Sequence, residues 1–81
     1  MKIFILTKTN DCGGILFVKA YLTKKEAQNQ MRKDYKKEKE KTKKCGSTIT
    51  NEELTANDAW LEYDFRSFLW WQINKDEINT A

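Results

Sequence analysis

The side chains best suited to bind a partner are the aromatic ones in the segment 58–73, which reads DAWLEYDFRSFLWWQI. This segment holds all three tryptophans, and it contains more large apolar side chains than one face of one element can bury. Aromatic side chains contribute much of the free energy of protein–protein binding. The alternative is that part of this set fills the core or the seam of a homodimer. The predicted partner-binding residues are Trp60, Phe68, Trp70, Phe17 and Tyr21.

A second candidate site is the lysine-rich segment 36–44, which reads KKEKEKTKK. Single-strand binders of nucleic acid combine basic side chains with aromatic ones, so a basic helix beside an aromatic sheet could bind phosphates. Against this, Glu38 and Glu40 interrupt the lysines, and neither central strand carries the RNA-recognition signature. A solvated helix face is the simpler interpretation, and nucleic-acid binding is the alternative function. Its residues would be Lys36, Lys37, Lys39, Lys41, Lys43 and Lys44.

The sequence lacks the histidine on which many common catalytic centres depend. It has no histidine and no CxxC motif, which removes the usual zinc patterns and the Ser/His and Cys/His arrangements. Glu62 and Asp64 are two residues apart on a predicted strand and should point the same way, but nothing else converges on them. Cys12 and Cys45 are expected to be free thiols in a reducing compartment. We therefore predict no enzymatic activity, no metal, no cofactor and no small-molecule substrate.

Charge is divided between the two halves of the chain. Residues 1–44 carry 13 basic and 5 acidic side chains, whereas residues 45–81 carry 2 basic and 7 acidic ones. Such a division can steer a charged partner, or it can let the two halves attract each other. The apolar run near the N-terminus, Ile3–Leu6, is far shorter than a signal peptide or a membrane span. We expect a cytoplasmic protein that does not enter the membrane.

The first half of the chain predicts a β-hairpin followed by a helix. Two β-rich runs flank the turn cluster NDCGG, which indicates a hairpin over residues 1–22. Thr23 and Glu26 have the spacing of a capping box and Gly46 can end a helix, so a helix is predicted over residues 23–45. Its few apolar residues are four apart and form one stripe. We expect the first three turns to pack on the sheet and the remainder to extend into solvent or fray.

The second half predicts another hairpin. The polar, turn-rich segment 46–57 is expected to be a connecting loop that could include one helical turn, and residues 76–81 a polar tail. Over residues 58–75 a helix would carry apolar side chains all round, so two strands are the better fit. The order predicts a single small domain of α+β class, ββαββ, in which one helix packs on one face of a four-stranded antiparallel sheet.

One helix covers only one face of such a sheet, and the other face ordinarily carries polar residues. Here the alternation predicts large apolar residues on both faces, because Ile5 and Leu6 point to different faces of the sheet, as do Trp70 and Trp71. By this alternation Trp71 is the tryptophan expected in the core. An exposed apolar patch of this kind usually marks an interface. We therefore predict a non-catalytic protein-interaction module that forms a homodimer through the uncovered face or binds another protein there.

Several of these motifs together make the chain similar to a set of small uncharacterised ββαββ proteins of bacteria, often encoded on phages or other mobile elements. That set has a T-x-x-E-A helix start and a late A-x-[LI]…W-x-I ending, and the resemblance spans most of the chain. The resemblance implies the same fold and a mobile-element context, in which some small proteins bind and inhibit host or defence proteins. The matching residues are Thr23, Glu26, Ala27, Ala59, Leu61, Trp71 and Ile73.

Overall fold

Over residues 2–11 and 13–77, which the computed structural model describes, the chain forms one helix and one antiparallel sheet. The elements are β1 (Lys2–Asn10), β2 (Ile15–Tyr21), α1 (Lys24–Lys44), β3 (Ile49–Leu54), β4 (Asp58–Tyr63) and β5 (Ser67–Glu77). The strand order across the sheet is β2-β1-β5-β4-β3. The α+β class is therefore confirmed, but the described sheet has five strands where four were predicted.

The additional strand, β3, lies in the segment 46–57 that was predicted to be a loop. β3 reads ITNEEL, is mostly exposed, and pairs only with β4 at one edge of the described sheet. A polar edge strand lacks the apolar alternation by which strands are recognised in a sequence. β5 also runs through Glu77, so the predicted tail 76–81 begins as strand. Cys12 and residues 78–81 lie outside the described residues.

Both ends of α1 are formed by the residues that the sequence indicates. The Thr23 hydroxyl accepts a hydrogen bond from the Glu26 backbone N–H at 3.2 Å, as an N-cap does. At the other end Gly46 has φ +78°, and the N–H groups of Gly46 and Ser47 donate to the carbonyls of Lys43 and Thr42. This is a Schellman arrangement, which glycine favours because a left-handed φ costs it nothing.

The core lies between α1 and the face of the sheet that we call the helix face. Ala27, Met31 and Tyr35 of α1 pack there against buried residues of β1, β4 and β5. Trp71 is fully buried, as the alternation predicted, and the Tyr35 ring contacts it edge to face at 5.7 Å between ring centroids. The buried sheet residues are Leu6, Ala59, Leu61, Leu69, Trp71 and Ile73.

The second half of α1 also lies on the sheet, so the prediction that it extends into solvent or frays was wrong. Polar contacts take the place of the missing apolar residues. Lys8 of β1 forms ion pairs with Asp34 at 2.8 Å and Glu38 at 2.9 Å. Lys39 pairs with Glu52 of β3 at 2.7 Å, and Thr42 is buried. No helix in the described part of the chain is long and apolar enough to cross a membrane.

Candidate functional site on the open sheet face

The candidate site is on the side of the sheet opposite α1, which we call the open face. Residues directly opposed on antiparallel strands point to the same face, so the strand register identifies its members. One row crosses four strands, in which Thr9 is opposite Trp70, Trp70 opposite Trp60, and Trp60 opposite Glu53. The next row places Glu62 opposite Phe68. Three of the five predicted partner-binding residues are therefore brought together.

These three residues, Trp60, Phe68 and Trp70, form what we call the aromatic cluster. Trp60 and Phe68 stack with their ring centroids 4.8 Å apart and their planes 9° from parallel. Trp70 is 37% exposed, whereas Trp60 and Phe68 are half-buried. The Trp60 indole N–H is itself buried and has no hydrogen-bond acceptor among the described residues. The cluster is therefore a rigid, partly exposed apolar surface of the kind found at the centre of protein interfaces.

The other two predicted partner-binding residues, Phe17 and Tyr21, lie on the helix face. They are opposite Lys8 and Phe4, and both pack against the core. Alternation separates the two sides of β2 correctly from Phe17 to Tyr21, but a register shift moves Ile15 to the side opposite Phe17. Alternation also cannot say which side meets α1. Phe17 and Tyr21 therefore do not belong to one surface with the aromatic cluster, and that part of the prediction was wrong.

The open face extends from the aromatic cluster towards β2 through apolar and hydroxyl side chains. Ile15 is exposed and lies opposite Thr9, the neighbour of Trp70. A register shift between Lys8 and Thr9 brings Ile15 there. Nearer the other end of β1 and β2, Ile5 is opposite Ala20, so a second apolar area covers that corner.

All charged strand side chains that the register assigns to the open face are acidic. The set contains Glu53, Asp58, Glu62 and Asp76, and it contains no lysine or arginine from the described strands. Asp58 accepts hydrogen bonds from Thr55, and Glu62 accepts one from the Thr50 hydroxyl at 3.0 Å. Glu53, Asp58 and Glu62 therefore place negative charge beside the aromatic cluster on its β3 and β4 side.

The predicted pair of carboxylates, Glu62 and Asp64, is not formed. β4 ends at Tyr63, and Asp64 begins the turn to β5 with φ +56°. Its carboxylate accepts the Thr48 backbone N–H at 2.9 Å and so closes the turn against the start of β3. The two acidic groups therefore serve separate structural contacts.

Phe65, in the same turn, is an exposed aromatic residue that sequence reasoning missed. Its φ is +54°, in the left-handed region that costs an L-residue about 1–2 kcal/mol. Its side chain is 84% exposed. The turn is braced by the Asp64 N–H, which donates to the Thr48 carbonyl at 2.8 Å, and by the Phe65 N–H, which donates to the Thr50 hydroxyl at 3.3 Å. The sequence indicated Phe65 only as a large apolar residue between two predicted strands.

The lysine-rich segment is more uniformly basic on its outer side than its sequence indicates. Glu38, which interrupts the lysines, turns inward to Lys8, and so does Asp34 one turn earlier. Lys39 is held by Glu52, whose pKa is lowered by the hydrogen bond and the charge of that lysine. The exposed lysines of the predicted set are Lys36, Lys37, Lys41, Lys43 and Lys44.

The buried ion cluster around Lys8 is the other feature that the sequence did not reveal. Lys8 is 6% exposed and lies over the Trp71 ring at 5.3 Å, while the Trp71 indole N–H donates to Asp34 at 2.9 Å. Burial alone lowers the pKa of Lys8, but the hydrogen bonds and charges of Asp34 and Glu38 outweigh it and raise the pKa. A raised pKa is the opposite of what a nucleophilic lysine needs, and the observed contacts of Lys8 join β1 to α1.

The described surface has several open hollows of about 260–310 Å³. One hollow of about 310 Å³ lies on the outer side of α1, lined by Lys37, Glu40, Lys41, Lys44 and the exposed Cys45. That volume is at the lower limit of small-molecule sites. Over residues 2–11 and 13–77 no group of three or more acidic or thiol side chains is placed to hold a metal ion.

Comparison of the chain with known protein families, with curated proteins and with solved structures gave no match.

Proposed function

We propose that the protein is a non-catalytic interaction module that binds a basic partner protein on its open sheet face. The observation that carries this proposal is the aromatic cluster, whose charged neighbours on the strands, Glu53, Asp58 and Glu62, are all acidic. An apolar centre within a charged rim is the usual anatomy of a protein interface. The sign of the rim selects a partner whose binding segment combines apolar side chains with lysine or arginine.

The charge of the open face also argues against its packing on itself. Two copies stacked face to face would enclose Asp58 and Glu62 from both, and the described strands provide no cation on that face to pair with them. A buried charge without a partner costs several kcal/mol. The homodimer through this face, which the sequence suggested, is therefore disfavoured relative to a foreign basic partner.

A specific version of the proposal follows from the resemblance to mobile-element proteins. In that setting the partner would be a host or defence protein, which this chain would bind and inhibit in the cytoplasm. The phage or mobile-element context and the cytoplasmic location are proposals that rest on the resemblance alone. The acidic surface adds a chemical condition, since the bound surface of such a target would be basic.

The proposal is tested with two probe peptides, one of alternating lysine and leucine and one of alternating glutamate and leucine. Tryptophan fluorescence should report binding of the first and not of the second. Trp70→Ala should weaken binding about tenfold or more, because it removes the most exposed ring of the cluster. Leu54→Ala is the matched control, since Leu54 is 42% exposed but lies on the helix-face side of β3.

Equal binding of the two peptides would contradict the proposed role of the carboxylates. If Trp70→Ala and Leu54→Ala both bind the lysine–leucine peptide as tightly as the parent protein does, the proposed location of the site is contradicted. Circular dichroism of each variant distinguishes a lost site from a lost fold.

A second candidate function, binding of single-stranded nucleic acid by α1, is favoured by the inward turn of Glu38 and Asp34. The five exposed lysines then line the outer side of the helix with Glu40 as the acidic residue among them. Five phosphate contacts predict a slope of about −3.5 for log K against log salt concentration, at about −0.7 per contact.

Fluorescence anisotropy of a labelled oligothymidylate at several salt concentrations measures this slope. Lys37→Gln together with Lys41→Gln should reduce it by about 1.4. Lys24→Gln together with Lys25→Gln, at the other end of the helix, removes the same charge and should change it little. Binding that is absent at about 50 mM salt, or that both double variants weaken alike, would refute this function.

A further inference from the structure

The two edges of the sheet differ in how they are protected from added strands. β3 places Glu52 and Glu53 along one edge, and charged side chains are a common means of preventing edge-to-edge pairing. β2, at the other edge, contains a single charged residue, Lys19, and its register with β1 shifts only near Ile15, so residues 17–21 form a regular edge. Ile15, Leu16 and Val18 are exposed along it, Val18 to 58%. In the described part of the chain only β1 pairs with β2.

From this difference we infer that β2 pairs with β2 of a second copy. The pairing is antiparallel about a two-fold axis that passes beside Val18, and it joins the two sheets into one of ten strands. A regular edge strand whose outer backbone groups lack a strand partner is the structural requirement for such strand addition, and residues 17–21 provide it. A second copy is the occupant because, in one register, residues 17–19 of β2 meet those of the copy on matching faces with no like charges directly opposed.

In that register Val18 faces Val18 of the second copy, and Phe17 faces Lys19 of the second copy. Phe17 and Lys19 both point to the helix face, whereas Val18 points to the open face. Opposed residues in an antiparallel pair share a face, so the two sheets join with both helices on the same side. A shift of the axis by one residue towards Tyr21 would set Lys19 directly against its own copy, which is unfavourable.

The charge distribution favours edge pairing over face-to-face packing. Asp58 and Glu62 lie on β4, separated from β2 by β1 and β5. At about 4.8 Å per strand they are roughly 14 Å from the β2 edge, which exceeds the Debye length of about 10 Å at moderate salt. The carboxylates of two edge-paired copies therefore do not oppose each other. The open face of each copy, including the aromatic cluster, also stays accessible, so this inference is independent of the proposed function.

The seven residues of β2 make an interface of low area, so the dimer should form in the micromolar range rather than below it. Light scattering coupled to size exclusion, with loading concentrations from about 1 to about 500 µM, should show the mass rising towards that of a dimer. Val18→Lys should keep the protein monomeric, because it sets two lysines against each other at the axis. Leu54→Lys, a matched change at the β3 edge, should leave the dimer intact.

Cysteine crosslinking tests the register itself. In a background with Cys12→Ser and Cys45→Ser, Val18→Cys should crosslink under mild oxidation, because Cα atoms opposed at the axis are about 4.5–5.5 Å apart. Ala20→Cys should not, since the two copies of residue 20 would be roughly 13 Å apart along the strands.

A chain that stays monomeric over the whole concentration range would overturn the inference. So would a dimer that survives Val18→Lys, or one that Trp70→Ala abolishes, because the latter would place the contact on the open face. Preferential crosslinking of Ala20→Cys would reject the register. The peptide-binding result is separate from each of these outcomes.

Discussion

At the scale of single residues, Lys8 shows how one charged side chain positions a helix. Its Nζ contacts two carboxylates that lie one turn apart on α1, Asp34 and Glu38. The Trp71 indole N–H donates to the same Asp34 and so connects the centre of the sheet with the helix. Because α1 has few apolar residues, these polar contacts help to fix the position of its middle turns along the sheet.

Replacing Lys8 tests this role. We expect Lys8→Met to lower the free energy of unfolding by about 2 kcal/mol, because it leaves Asp34 and Glu38 against the sheet without a cation. The loss is smaller than for fully buried pairs, since both carboxylates keep some contact with water. Urea unfolding followed by circular dichroism measures it.

The matched control is the triple variant Lys8→Met, Asp34→Asn, Glu38→Gln, which removes all three charges. The amide oxygen introduced at position 34 can still accept the hydrogen bond from the Trp71 indole N–H. The triple variant should regain at least half of the free energy of unfolding that Lys8→Met loses. If the triple variant is as unstable as Lys8→Met, the aliphatic packing of Lys8 rather than its charge is what matters.

At the scale of elements, the β4–β5 turn contains a strained residue, Phe65. Hydrogen bonds with Thr50 of β3 and with Thr48, the residue before β3, hold this turn in place. Asp64 and Phe65 both have positive φ, where hairpin turns of this geometry ordinarily use asparagine and glycine. β3 therefore does more than widen the sheet, since Thr48 and Thr50 brace the turn. Backbone strain that is retained in this way is often associated with function.

Relieving the strain should stabilise the protein. We expect Phe65→Gly to raise the free energy of unfolding by about 1 kcal/mol, because glycine adopts the left-handed φ freely and the exposed ring loses little packing. Urea unfolding is again the measurement.

Gly46→Ala provides the opposite control, since Gly46 has φ +78° at the end of α1 and no neighbour that a Cβ would touch. That change should lower stability by about 1 kcal/mol through backbone strain alone. A Phe65→Gly variant that is no more stable than the parent would mean that the ring is packed more firmly than its exposure indicates.

At the scale of the whole molecule, the division of charge along the sequence becomes a division between two sides. The basic residues of the first half are mainly on the outer side of α1, and the acidic residues of the second half line much of the open face. The two halves also attract each other where they meet, through Lys39 and Glu52. Both possibilities that the sequence left open, steering of a partner and mutual attraction, therefore have residues that can provide them.

This arrangement gives the protein two surfaces of opposite sign on opposite sides of the helix-and-sheet sandwich. The proposed function uses the acidic, aromatic side, and the second candidate uses the basic side. The two are distinguished by the sign of the probe that binds and by which variants weaken it. The β2 edge lies between these surfaces, so a dimer formed there would double both of them.

The sequence alone determined the elements whose signals are local. The cap at Thr23, the stop at Gly46, the apolar stripe of α1 and the alternation around Trp71 each depend on residues within a few positions of one another. Such signals act through short-range hydrogen bonds and side-chain periodicity, so they can be recognised without knowing the fold. The class, one helix against an antiparallel sheet, followed from them.

Only the tertiary structure decided which face of each strand meets the helix. Alternation divides a strand into two sides, but the choice between them depends on the strand register, which sets Phe17 opposite Lys8 on the helix face. β3 forms because β4 offers it a backbone to pair with, and Lys8 is buried because α1 brings two carboxylates to it. These are contacts between residues distant in sequence, and no local pattern encodes their energies.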